Sequence, residues 1–196
     1  MLLEVLIAII IFTVALLGLA ALMLRVSAGT ERSRYMSIAT MLASEKLEDL
    51  IRYPSTDPVV YVPPSSVLVG GLAADKSELI SCSGVTENVI YYDDVRLSVG
   101  EGVVTEVRTA TDGSGNPCYY VFKHTASGAA SEGSCLSAAP AVPSGTLVFH
   151  RRWMIESPVT VNTTSVANIR RITVLVKLPT SIQGGDVSFQ MSALRP

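Results

Sequence analysis

From Val5 to Leu24 the chain carries no charged residue, and only Thr13 and Gly18 interrupt its apolar side chains. A helix over these twenty positions is about 30 Å long, the thickness of the hydrocarbon layer of a bilayer. The helical pattern changes after Arg25 but does not stop. Beyond a soft spot at Ser27-Ala28-Gly29, Met36, Ala39, Ala43, Leu47 and Leu50 share one face at steps of three or four. Glu31, Arg34, Glu45 and Asp49 lie largely off that face, and Glu48 and Arg52 are spaced for an i,i+4 ion pair. Pro54 ends the run, because the residue before a proline is pushed out of the helical region. The pattern predicts one long helix over residues 2–52, apolar all round in its first half and amphipathic in its second. The first half needs lipid or other helices around it; the second needs a sheet beneath it.

After Pro54 the periodicity is lost in "YPSTDPVVYVPPSSVLVGG", which reads as a Pro/Gly/Ser-rich connecting region over residues 54–100. Within it, Asn88–Leu97 fits either a strand or a short connecting element. Val103–Thr109 and Cys118–His124 are β-rich runs separated by the turn-forming "ATDGSGNP", a hairpin signature. Asp112, Ser114 and Asn116 alternate as at the start of a calcium loop, but the glutamate that should follow is missing, so a plain turn is the expected reading. "TLVFHRRWMIES" and "IRRITVLVKLP" are strongly β-prone. Ile172, Val174 and Val176 face one way and Arg171, Thr173 and Lys177 the other; Val187, Phe189 and Met191 repeat the alternation. Trp153 is expected in the core or at a sheet edge. The organisation is then an apolar half-helix over 1–25, an amphipathic half over 26–53, the connecting region, and an antiparallel sheet over 101–196. An α+β body follows, with the second half of the helix and the strands sharing one core.

Composition narrows the functional classes. The 196 residues carry a formal net charge of −2 and only 6% aromatic side chains, which supports neither a nucleic-acid surface nor a base-stacking platform. The pairs Arg151-Arg152 and Arg170-Arg171 are a faint hint of a basic patch and no more. His124 and His150 lie in β-prone segments, without a glycine-rich phosphate loop or a nucleophile elbow nearby. Asp93 and Asp94 are consecutive and so face opposite sides of a strand, a poor arrangement for a carboxylate pair. Neither catalysis nor a metal nor a cofactor is expected. Asn162-Thr163-Thr164 fits the N-glycosylation pattern and is read as a chance match. Three cysteines, Cys82, Cys118 and Cys135, show no metal-ligand spacing. In an oxidising compartment Cys118 and Cys135 are the preferred couple, because they flank a Ser/Gly/Ala-rich loop-like stretch; three unpaired thiols remain the alternative.

The apolar segment itself holds the chemical puzzle. Its only carboxylate is Glu4, and an ionised side chain in lipid costs on the order of a few kcal/mol unless it is neutralised. An α-amine, at this chain's own end or on a neighbouring copy, is a suitable cation; hydration at the interface is the plainer reading. Arg25, Arg32 and Arg34 all follow the apolar run, which would put the body in the cytoplasm and conflicts with a Ser/Thr/Gly-rich body in which two of three cysteines could pair in an oxidising compartment. The conflict disappears if a basic leader once preceded Met1 and was removed, so a processed chain is expected.

"LLEVLIAIIIFTVALLGLAAL" resembles the N-terminal segment of mature type IV pilins and pseudopilins, and Leu16 to Leu22 most resemble the PilV-like minor pilins. The resemblance is specific over about the first twenty-five residues; a second likeness, from "RRWMI" to "RRITVLV", is diffuse. In that family the glutamate stands at the fifth mature position, whereas here it is the fourth residue. The resemblance implies cleavage by a prepilin peptidase, methylation of the new N-terminus, and an assembly role for Glu4, shared with the helix-packing positions Leu2, Leu3 and Gly18. Gly18 would permit close helix approach, or is simply tolerated there. The implied function is a structural subunit of a type IV pilus, a minor one. Its implied partners are inner-membrane lipid, other pilin subunits and the assembly machinery, and its body lies first in the periplasm and then at the cell surface. The alternatives are a pseudopilin of a type II secretion system and a membrane-anchored periplasmic binding module that never polymerises.

Overall fold

In the computed structural model, which describes residues 2–98, 104–112, 115–124, 130–132, 135–179 and 186–196, helix α1 runs unbroken from Leu2 to Arg52. It passes through Ser27-Ala28-Gly29 without a break. Hydroxyls inside the helix are satisfied locally: Thr13, Thr30 and Thr40 donate to the carbonyls of Ile10, Val26 and Met36. The two halves meet different surroundings. Apolar side chains from Leu3 to Val26 are exposed, Leu17 by 71% and Phe12 by 64%. Ala39, Leu42, Ala43, Leu47 and Leu50 are buried, with Met36 and Ile38 packed against them. The expected Glu48–Arg52 ion pair does not form; Lys46 pairs with Asp49 at 3.8 Å instead.

The helix rests on one face of an antiparallel sheet. In chain order the strands are β1 (Leu68–Gly70), β2 (Ser77–Cys82), β3 (Val85–Ile90), β4 (Tyr92–Ser98), β5 (Val104–Thr111), β6 (Pro117–His124), β7 (Ala130–Glu132), β8 (Thr146–Glu156), β9 (Val159–Val161), β10 (Thr164–Val166), β11 (Arg170–Leu178) and β12 (Val187–Arg195). The main sheet has the order β12-β11-β8-β4-β5-β6-β7, with β1 paired to β8 beyond the end of β4. The β5–β6 hairpin forms where the turn cluster places it, with Thr111 opposite Pro117.

One boundary is corrected. Residues 54–100 are more than a connection: they contribute β1, the β2–β3 hairpin and β4, and β4 sits in the middle of the sheet. The sheet therefore begins well before residue 101. The signal was weak because β3 is exposed over its first four positions and β2, although it turns Ile80 and Cys82 inward, carries an exposed Leu79 next to Ile80, which blurs the apolar alternation. Their turn was nevertheless written in the chain, since Ser83 and Gly84 both adopt positive φ, the demand of a tight two-residue hairpin. Asn162 and Thr163 do the same between β9 and β10, which gives the chance glycosylation triplet a structural role.

The core lies between α1 and the sheet. Ile172, Val174 and Val176 on β11 are buried with Ala39, Leu42 and Leu50 of the helix, and Phe189 and Met191 of β12 pack against them. Phe149, Trp153 and Ile155 continue the buried face along β8. Gly70 has φ +76°, and a Cβ there would stand 2.5 Å from the Trp153 carbonyl oxygen and 2.8 Å from the Tyr91 ring. Only glycine fits that crossing.

Candidate functional site

Two constructions in this chain ask for a function, one at each half of α1. The first is the bare half. It is long and apolar enough to cross a bilayer, and none of that span is buried against the rest of the chain. Glu4 is exposed in the first helical turn, where the positive end of the helix dipole favours a carboxylate. Leu3 is 75% exposed beside it. Leu2 belongs to the same turn. Gly18 lies fourteen residues from Glu4 and so close to the same helix face. A Cβ at Gly18 would meet nothing within 4 Å, so this chain's own packing does not call for glycine there.

The second construction fastens the other half to the sheet. Lys46 falls on the buried stripe of α1, and its Nζ lies 3.2 Å from Asp93 Oδ2 of β4 and 4.2 Å from the centre of the Trp153 ring. Arg151 of β8 holds Asp93 through two bonds, Nε to Oδ1 at 2.6 Å and Nη2 to Oδ2 at 2.9 Å. The same Nη2 donates to Glu106 Oε1 of β5 at 2.6 Å, and Arg108 Nε donates to that oxygen at 2.7 Å. Two cations and two carboxylates are thus buried together, so their charges balance. Burial alone would raise the Asp93 carboxyl, but Arg151 and Lys46 outweigh it and hold Asp93 well below the usual carboxylate range. Burial prevails at Lys46 and lowers its ammonium despite Asp93. At Arg151 burial acts downward, and Asp93 and Glu106 more than reverse it.

Beside this cluster the helix and the β5–β6 side of the sheet part, leaving a cleft of about 310 Å³ whose rim includes Glu45, Glu48, Arg108 and His124. His124 Nε2 stands 3.7 Å from Glu106 Oε2, beyond hydrogen-bond reach. Chemically, the cluster neutralises itself and holds the rod at one height on the body.

Asp93 and Asp94 do face opposite sides of β4: Asp94 meets His150 Nδ1 at 2.5 Å on the other face. Its hydrogen bond raises the imidazole's affinity for a proton. The arginine pairs give no basic patch. Arg151 is buried, Arg152 pairs with Asp75 and Arg171 with Glu156, while Arg170 donates to the Val60 carbonyl. Cys118 and Cys135 are joined by a disulfide, and Cys82 is a buried free thiol that donates to the Thr56 carbonyl. Of the calcium-like triad, Ser114 lies outside the described residues; Asp112 Oδ1 accepts the backbone N–H of Asn116 at 2.8 Å, which closes a turn.

Sequence reasoning missed Lys46, Asp93, Glu106 and Arg151 as a unit. The available signal was a lysine on an otherwise apolar helical stripe, which requires a buried carboxylate somewhere distant. Comparison with protein-family models, with curated proteins and with solved structures finds no match for this chain.

Proposed function

We propose that this chain is a structural subunit of a type IV pilus, and a minor one, held in the bacterial inner membrane by the first half of α1 and later built into the filament. The observation that carries the reading is the pairing of two halves in one unbroken helix: a bare apolar rod with a single acid in its first turn, and a continuation fastened to the sheet. A floppy tether would anchor a body equally well and would need neither the continuity nor the buried cluster.

In this reading the bare halves leave lipid and pack together at the centre of the filament. Lipid tails and neighbouring helices are similarly apolar, so the exchange is nearly neutral for the greasy surface. Direction comes from Glu4, whose charge is costly in lipid and is satisfied by the α-amine of a neighbour. The bodies cover the outside through head-to-tail contacts, which generate open helical polymers and not closed rings. The resemblance of the first twenty-five residues to pilins supports the same assignment, with a prepilin peptidase acting beforehand and the body in the periplasm before assembly. No catalytic step belongs to this role.

The test is to shear surface filaments from producing cells and probe them for this chain. Its recovery with the filaments is expected. Confinement to the membrane fraction, in cells that make filaments normally, would leave a membrane-anchored module that does not polymerise.

A further inference from the structure

A second cleft, of about 260 Å³, opens between the end of α1, β3 and the β5–β6 hairpin. Aromatic side chains line it: Tyr53 just beyond α1, Tyr120 and Phe122 of β6, and Trp153 of β8. Arg108 lies over one face of Phe122 at 4.6 Å and Lys46 over one face of Trp153 at 4.2 Å, so the chain's own cations brace these rings. The charged residues of the lining are Lys46, Asp49, Glu87 and Arg108, which sum to zero and suit an uncharged occupant. Trp153 is 4% exposed, and its indole Nε1 finds no acceptor among the described residues. A buried N–H of this kind calls for an acceptor. The volume falls below the roughly 300–1,000 Å³ of sites that enclose a small molecule, which favours side chains of a peptide.

Aromatic walls, no net charge and an indole donor are what proline-rich extended peptides use, since their carbonyls are free and their shape is preset. P-x-x-P occurs once in this chain, at Pro140-Ala141-Val142-Pro143, within an uncharged stretch over residues 137–145. Residues 137–142 make no backbone–backbone hydrogen bond among the described residues, and Ala141, Val142 and Pro143 are exposed. Arg96 of β4 fixes the stretch to the sheet, donating from Nη1 to the carbonyls of Pro140 at 2.8 Å and Ala141 at 3.3 Å. Arg96 stands three residues after Asp93 and so on the opposite face of β4, away from the helix. The cleft is on the helix side, so one copy does not fill its own cleft. We infer that the 140–143 segment of one copy docks in the aromatic cleft of the next. The two surfaces differ, so the contact is heterologous and propagates instead of closing. As a contact between bodies it rests on the filament reading; as a binding event it does not.

The test uses the detergent-solubilised full-length chain and an end-capped peptide of residues 137–145, read by the fluorescence of Trp153, the chain's single tryptophan. A saturable change in emission is expected, and a peptide carrying Pro140→Ala and Pro143→Ala binds about tenfold more weakly. Tyr120→Ala in the protein weakens binding of the unaltered peptide by about the same factor. If that variant does not fold, the two peptides on the wild-type chain decide the matter alone. No saturable change up to about 5 mM peptide, or equal binding of both peptides, would overturn the docking. So would a response to maltotriose, a neutral sugar, without one to the peptide. In producing cells, Pro140→Ala with Pro143→Ala in the full chain lowers recovery in sheared filaments about tenfold relative to its membrane level. Unchanged recovery would overturn the contact between copies. Absence of the wild-type chain from filaments, with peptide binding intact, would defeat the filament reading and leave the cleft's ligand standing.

Discussion

Leu17 and Leu42 occupy the same helix, twenty-five residues apart, and stand under opposite rules. Leu17 is 71% exposed and Leu42 is 1% exposed. Nothing in the backbone distinguishes them, since α1 continues unbroken through both. The difference lies in what surrounds the helix. The second half has a sheet to cover and is held there by apolar packing and by a buried ion cluster. The first half exposes apolar side chains over a span long enough to cross a bilayer, none of it buried against the rest of the chain. One element therefore presents two surfaces of different kinds, and changes in each half should be felt in different assays.

The largest effect is expected where the packed half is fastened. Asp93→Ala leaves Lys46 buried without its closest carboxylate and Arg151 with Glu106 alone, which should cost about 3–5 kcal/mol in denaturant titration of the detergent-solubilised protein. The wild-type contribution of Asp93 also has a pH signature. Its carboxyl is depressed in the folded state, so the stabilisation is complete above the unfolded value near about 3.9 and is lost as pH falls toward the folded one. An Asp93→Ala protein whose stability matches wild type would break the claim that charge, and not only apolar packing, holds the rod to the sheet.

Truncating the two leucines sharpens the contrast directly. Leu42→Ala should cost about 2–4 kcal/mol through lost burial and a cavity, while Leu17→Ala should leave the unfolding of the body unchanged. Equal effects would mean that the halves are not independent. Gly70→Ala tests the sheet that receives the packed half. A Cβ forced against the Trp153 carbonyl at positive φ should cost about 1–3 kcal/mol by thermal unfolding. The smallest effect lies on the far face of the sheet, away from the helix. The proton affinity of His150 is raised by Asp94, so its contribution is fully present below about pH 6.5 and is lost as pH rises through the folded value. The His150 side chain is 40% exposed and that of Asp94 33%, so solvent screens the pair, and the change should stay under about 1 kcal/mol and vanish in His150→Gln.

Much of this architecture was legible because it is local. An apolar run, a three-to-four spacing and a following proline define α1, and alternation defines β11 and β12. A turn cluster between two β-rich runs defines the β5–β6 hairpin. The bare half of the helix, with Glu4, was legible for the same reason: its peculiarity lies in consecutive residues. What escaped is what depends on distance. β4 carries two aspartates, an arginine and little apolar alternation, so it fits a strand or a short connection equally until Arg151, fifty-eight residues beyond Asp93, shows why the acid belongs inside. Arg151 in turn resembled half of a basic patch, because a sequence does not reveal that one arginine of an adjacent pair points to the core and the next to the outside. Pairing of that range follows from the fold and cannot precede it.

The central claim is that the acid at the front of the bare rod directs assembly while the packed half merely carries the body. Recovery in sheared filaments should therefore be compared for wild type and Glu4→Ala at equal membrane levels, with the unfolding of the body measured in parallel. The account predicts that the variant is absent from filaments although its body unfolds as in wild type. Normal recovery of Glu4→Ala in filaments would contradict it.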